Sequence, residues 1–172
     1  MRLKKVEKKD LQLNPIHMFA DDWPLLTAGN EENGYNTMTI SWGHIGAIWN
    51  APTMIVYVRP QRYTKAFMDN NALFTVSVLP TEYKEALTYL GTTSGRNEDK
   101  ISKVGLTPIY AEDTTYFEEA TMVFVCRTLY QAQIKEDRFL DQAVRDLMYP
   151  EKDFHDMYIG EIIEILVKEE KR

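Results

Sequence analysis

Polar and apolar side chains alternate with period two from Asn36 to Trp42, with Thr37, Thr39 and Ser41 on one side and Met38, Ile40 and Trp42 on the other. This predicts a strand with one face made of small hydroxyls. A second strand is predicted from Thr53 to Val58, where β-branched and aromatic residues dominate, and it stops at Arg59-Pro60. The period then changes, so Arg62 to Asn71 reads as a helix entered directly from the strand. Leu73, Thr75, Ser77 and Leu79 next face away from Phe74, Val76 and Val78, a third strand ended by Pro80. Thr81 is expected to cap a short helix in which Tyr83, Leu87 and Leu90 recur at helical spacing.

Further strands are predicted from Thr107 to Asp113 and from Glu118 to Ile134, the latter long and aromatic-bearing like a barrel wall. Between Glu136 and Tyr149 the residues Phe139, Leu140, Ala143, Val144, Leu147 and Met148 form one stripe of an amphipathic helix. Such a helix covers a barrel end or packs on a partner chain. The last predicted strand runs from Met157 to Val167. Near the start, Leu11 to Asp22 reads as irregular, and a strand begins between Trp23 and Thr27. Gly29-Asn30 and Asn33-Gly34 tolerate positive φ, which predicts a hairpin into the hydroxyl strand. Small residues at Gly43, Gly46 and Ala47 allow close approach of a ligand or a second subunit.

A length of 172 residues fits one domain, with residues 1–20 as an N-terminal extension. The net charge of -6 argues against a broad surface for nucleic acid while leaving room for local basic pockets. Cys126, the only cysteine, sits in an apolar run and is expected to pack as a small hydrophobe. The charged N-terminus has no apolar segment of signal-peptide length, and no apolar run reaches membrane-spanning length. The expectation is a cytoplasmic protein with no membrane partner. His44 has no partner at metal-ligand spacing, so no metal is expected. Phe117, Tyr130 and the Trp49 region fit a dimer interface or an internal core equally well.

Chemistry concentrates where the Thr53–Val58 strand meets its helix. First-turn N–H groups lack intrahelical acceptors and carry the positive end of the macrodipole, so anions are attracted there. Arg59 and Arg62 add guanidinium forks, and Tyr63 and Thr64 add hydroxyls. Two readings stand: a phosphate cradle, or a helix begun by Pro60 and capped by Thr64 with solvated arginines. The hydroxyl strand beside it suits the edge of a flat heteroaromatic ring such as a flavin, or else is a solvated sheet face. The loop from Gly91 to Lys100 pairs a flexible backbone at Ser94 and Gly95 with the charges of Arg96 and Lys100. Its alternatives are ligand contact or an ordinary solvated loop.

Taken in order, Asn36 to Trp42, Arg59 to Thr64, Gly91 to Arg96 with Asp99-Lys100, and His155 to Ile162 resemble the flavin reductase-like, FMN-binding split-barrel family, in its flavoredoxin-like branch. The resemblance covers most of the chain from about Trp23. It implies a mainly β fold with peripheral helices, an antiparallel split β-barrel of Greek-key type. It also implies bound FMN, and a homodimer with the flavin near the subunit interface. On this reading Arg59, Arg62, Tyr63 and Thr64 bind phosphate, and Met38, Thr39, Ile40, Ser41 and Trp42 contact the isoalloxazine. Ser94, Gly95, Arg96 and Lys100 tune its charge. His155 becomes a candidate catalytic residue and Tyr158 a candidate cofactor contact.

No strand is followed by G-x-G-x-x-G, so a nicotinamide would share the flavin cleft. The leading expectation is a flavin reductase or NAD(P)H-dependent oxidoreductase passing hydride from nicotinamide to flavin. The alternatives are a flavodoxin-like electron-transfer carrier, reduced by a protein donor and docking through its acidic charge, or a flavin-binding module without turnover.

Overall fold

Leu26, Phe74, Val76 and Phe124 lie in one hydrophobic cluster, whereas Leu25, Val123 and Val125 lie in another. Side chains on a strand alternate between faces, so these central strands are buried on both. The computed structural model describes residues 3–111 and 113–169. Its strands are β1 (Leu3–Lys5), β2 (Leu25–Asn30), β3 (Gly34–Thr39), β4 (Gly43–Ile48), β5 (Ala51–Val58), β6 (Leu73–Val78), β7 (Pro108–Ala111), β8 (Thr114–Phe117), β9 (Met122–Gln133) and β10 (Asp156–Lys168). The helices are α1 (Pro15–His17), α2 (Tyr63–Asn70), α3 (Lys84–Thr92), α4 (Lys100–Lys103) and α5 (Gln142–Met148).

An eight-stranded sheet runs in the order β3-β2-β6-β9-β10-β5-β4, with β1 added along the end of β10. All its pairings are antiparallel. The outermost strands, β3 and β4, are consecutive in the chain and joined only by Ile40 to Trp42, which gives the split barrel. β10 pairs with β5 over its first half, and register shifts at Ile159/Gly160 and Ile162/Glu164 bend it along β9. At the first shift only glycine fits, because a Cβ on Gly160 would overlap the Phe74 ring. The inner cluster fills the barrel, and Cys126 sits in it with its thiol pKa pushed up by burial. The outer cluster is covered by residues of α3 and α4 and by Phe117 of β8.

The β2–β3 hairpin is present, with Leu25 opposite Thr39 and Asn30 opposite Gly34. Several expectations need correction. Asn14 caps α1 through bonds from the Ile16 and His17 amides, so the region expected to be irregular holds a short helix, with Met18 and Phe19 buried beyond it. Thr81 forms no side-chain cap; Thr81–Tyr83 is a 3-10 turn leading into α3. β8 was not foreseen. It forms a hairpin with β7 that sits on the sheet through Thr75 and Thr115, whose hydroxyls donate to Thr115 O and Gly29 O at 2.6 and 3.1 Å. Glu112 of the predicted Thr107–Asp113 strand, and Met1 and Arg2 of the N-terminal extension, lie outside the described residues. The helix expected from Glu136 is shortened to α5, because Asp141 caps the amides of Ala143 and Val144. Phe117 is buried in the outer cluster, while Trp49 and Tyr130 are exposed and meet edge to face. No helix among the described residues is long and apolar enough to cross a membrane.

Candidate functional site

The end of β5, the start of α2 and the end of α3 converge on a cavity of about 330 Å³. Arg62 stands at the N-cap of α2 without a side-chain cap, so the first-turn amides of Tyr63 and Thr64 have no acceptor within the helix. Thr64 is buried and its hydroxyl accepts from the Asn36 amide at 2.8 Å, which ties α2 to β3. Across the cavity run Thr92, Thr93, Ser94 and Gly95. Gly95 is required there, since a Cβ would overlap the Asn36 carboxamide oxygen. Arg62 donates to Gly91 O at 2.7 Å, and Lys100, only 3% exposed, donates to Leu90 O and Thr93 O at 2.7 and 2.8 Å. The C-terminal carbonyls of α3 thereby hold two cations beside the N-terminus of α2.

A second lobe of about 190 Å³ is lined by Met38, Thr39, Ile40, Ser41, Trp42, Tyr57, Arg59, Arg62 and His155. Met38, Arg59 and Arg62 line both lobes, so the two form one cleft. Ser41 and Trp42 lie between the paired parts of β3 and β4, which leaves their backbone groups outside the ladder. Of the row of hydroxyl residues, Thr39 and Ser41 line the cleft, but the hydroxyls of Thr37 and Thr39 are engaged within the protein. Thr37 donates to Leu26 O at 3.2 Å and meets the Thr27 hydroxyl at 2.8 Å, and Thr39 donates to Leu87 O at 2.6 Å. Buried hydroxyls find nearby carbonyls because an unpaired one is costly. The second lobe therefore has Met38, Ile40 and Trp42 as its apolar wall and Ser41, Tyr57, Arg59, Arg62 and His155 as its polar one.

Three cationic groups share this cleft, and their neighbours record it. Burial, then the Arg59 charge, lowers the pKa of Arg62. Burial, then Arg62, pulls the Lys100 amine down to about 8. Burial, then Arg59, drives His155 down to about 4, so its imidazole is neutral at pH 7. Asp153 is the carboxylate lining the cleft; it pairs with Arg59 at 2.5 Å and accepts from Gln61 at 2.7 Å. Arg59 also donates to Met148 O at 3.0 Å and lies over the Tyr149 ring, which anchors α5 to the cleft. The Tyr149 hydroxyl meets His155 Nδ1 at 2.8 Å, and the imidazole lies 4.9 Å from the Trp42 ring.

Met38, Thr39, Ile40, Ser41, Trp42, Arg59, Arg62, Tyr63, Thr64, Ser94, Gly95, Lys100 and His155 all line the cleft. Arg96 stands at its rim, over the Tyr63 ring at 4.9 Å and donating to Gln61 O. Tyr158 does not reach the cleft. It points from β10 into the inner cluster, and its hydroxyl donates to Asp69 at 2.6 Å beside Lys65 and Gln131. A strand reverses its side chains at each residue, so Tyr158 lies opposite Met157 and away from the lobe that His155 lines. Asn36, Gln61, Tyr57 and Asp153 are cleft residues not singled out as contacts from the sequence. Gln61 and Asn36 lie inside the quoted motifs and were legible as their neighbours; Asp153 is brought in only by the return of α5.

The fit of an anionic planar ligand follows from this donor set: a cationic lobe with one carboxylate, opening into a slot with the apolar side chains of Met38, Ile40 and Trp42 on one side and polar groups on the other. Residues 17–172 match the model of the flavin reductase like domain. Among solved structures, flavoredoxin of Desulfovibrio vulgaris (Miyazaki F) is similar at 26% identity and TM-score 0.66, over 86% of this chain and 69% of that one. Flavoredoxin of Methanosarcina acetivorans is similar at 22% and 0.65, over 95% and 77%. Nitrilotriacetate monooxygenase component B from Bacillus cereus is similar at 18% and 0.67, over 98% and 83%. No curated protein matches. The matched model spans the sheet from β2 to β10 and both lobes of the cleft, and the chain belongs to the flavin reductase-like domain family.

Proposed function

We propose that the protein binds FMN in this cleft and acts as a flavin reductase, an oxidoreductase that draws on reduced nicotinamide. The observation that carries the reading is the junction of a cationic lobe at the start of α2 with a slot of mixed lining at the β3–β4 seam, where Met38, Ile40 and Trp42 face polar groups. Arg62, Lys100 and the Tyr63 and Thr64 amides would hold the phosphate, with Arg59 contributing charge from its place against Asp153. Met38, Ile40 and Trp42 would hold the ring's faces, and the free backbone of Ser41 and Trp42 its polar edge. When bound, the flavin supplies a ring that takes up two electrons and gives them back singly or in pairs. Arg62 and Lys100 stabilise negative charge near it. Neutral His155 lines the slot, its ring held in place by the 2.8 Å hydrogen bond between Nδ1 and the Tyr149 hydroxyl.

Exposed apolar residues on α5 (Leu140 just before it, Val144 and Leu147) support a homodimer with the cleft near the interface, since Arg59 ties this helix to the cleft. A two-band yellow spectrum of the purified protein, bleached rapidly by NADH or NADPH under anaerobic stopped-flow, is the expected result. A colourless protein that takes up no added FMN would refute the reading. A second reading, an electron carrier, is favoured by the net charge of -6 and by the name flavoredoxin on two similar structures. Bleaching by a reduced protein donor, but not by nicotinamide, selects it.

A further inference from the structure

His44 stands opposite Ile55 in the β4–β5 ladder, and Tyr57 lies two residues further along β5 on the same face. The Tyr57 hydroxyl and His44 Nδ1 meet at 3.2 Å, with the two rings edge to face and 5.9 Å apart. Tyr57 lines the second lobe, whereas His44 is exposed and lines a separate hollow outside it with Ile16, Phe19 and Trp42. Among the described residues lining that lobe, Tyr57 alone is hydrogen-bonded to an exposed imidazole. The pair is a path from the lobe to the exterior.

The other ionisable groups of the lobe are poor proton donors. Arg59 and Arg62 keep their protons, as guanidinium groups do in proteins. His155 is neutral at pH 7, and its Nδ1 is engaged by Tyr149. Burial raises the Tyr57 pKa, so its hydroxyl carries its proton at pH 7. A tyrosine hydroxyl accepts one hydrogen bond while donating another, so a proton on His44 Nδ1 leaves the Tyr57 hydrogen free for the lobe.

Resting on the flavin reading above, we propose that Tyr57 is a catalytic acid of the second lobe and that His44 is the relay resupplying it from solvent. The pair serves the half of the reaction in which a conjugated carbonyl acceptor, such as a quinone, is reduced. One quinone oxygen takes hydride, with its electron pair, from the reduced flavin, which is oxidised. The charge left on the other oxygen is removed by Tyr57: the tyrosine O–H breaks as the hydroquinone O–H forms. The Nδ1–H of His44 then passes to the tyrosine oxygen while Nε2 takes a proton from water, leaving hydroxide in bulk solvent. The imidazole changes tautomer and carries no net charge.

Two measurements test this. In the flavin-free protein, nitrogen NMR of the imidazoles should find the Nδ1–H tautomer of His44 dominant, and Tyr57→Phe should shift it toward the Nε2–H form. In the FMN-loaded protein, photoreduced without oxygen and mixed with benzoquinone, Tyr57→Phe should slow flavin reoxidation by about 100-fold. His44→Ala should slow it by about tenfold or more, and free imidazole should restore that variant but not Tyr57→Phe. FMN affinity of His44→Ala should stay within about twofold of native. Failure of imidazole to restore His44→Ala, an unchanged rate in Tyr57→Phe, or His44 held as the Nε2–H tautomer overturns the relay and leaves the flavin reading standing. A native protein that takes up no FMN overturns both.

Discussion

Lys100 shows how a single side chain links the cleft to pH. Its amine, held near 8 by burial and Arg62, is already charged below that pH, so phosphate affinity should be flat there. Above pH 8 the amine must take up a proton as the anion binds, and FMN affinity should fall by up to about tenfold per pH unit. Titrations from pH 7 to above 9 measure this, and Lys100→Met should bind more weakly with a flatter profile. The sign for folding is opposite. Because the folded pKa lies below the unfolded value of about 10.4, the unfolded chain holds more protons between the two, and stability should rise with pH in that window. Gly95→Ala should lower FMN affinity by about tenfold or more and also lower the melting temperature, because the added methyl displaces the buried Asn36 carboxamide that donates to Thr64. At this scale the basic residues and the glycine were legible, since charge and lack of a side chain are read directly. The direction of the Thr37 and Thr39 hydroxyls was not, because their acceptors, Leu26 O and Leu87 O, come from β2 and α3.

Among the elements, α2 is held at both ends. Its start presents free amides to the cleft, and its far end is moored to β9 and β10 by the group of Lys65, Asp69, Gln131, Asp156 and Tyr158. Tyr158→Phe removes a buried hydroxyl bonded to Asp69 and should cost about 1–2 kcal/mol of stability in chemical denaturation. FMN affinity should stay unchanged, which a direct role in the cleft would not allow. Strands β3, β5, β6, β9 and β10 were legible from their period because each is long or strongly alternating. β8 was hidden, for four residues of strand leave too little pattern. α5 was over-read: its apolar stripe is real, but Asp141 has a stronger preference for the cap than for the helix interior, and the chain before it is a 3-10 turn and an extended link.

For the molecule as a whole, the apolar stripe on and just before α5 is left uncovered, with Leu140 fully exposed and Leu147 at 73%. If the proposed homodimer forms through this stripe, replacing both with Glu should leave only monomer in analytical ultracentrifugation and, through the Arg59 tie to Met148, weaken FMN binding several-fold. An unchanged dimer would place the interface elsewhere. The split barrel was legible through the family resemblance, whereas the residue pattern alone did not give the strand order, which depends on pairings far apart in sequence. That closure is incomplete: β3 and β4 end the sheet, and between them runs the three-residue link that borders the ring slot. The two halves of the barrel thus resemble a clamshell hinged at Ile40 to Trp42, and any rigid plate wedged there acts as its clasp. Deuterium uptake across residues 36–48 should therefore drop on adding FMN, while the buried first half of β9, from Val123 to Cys126, should not change.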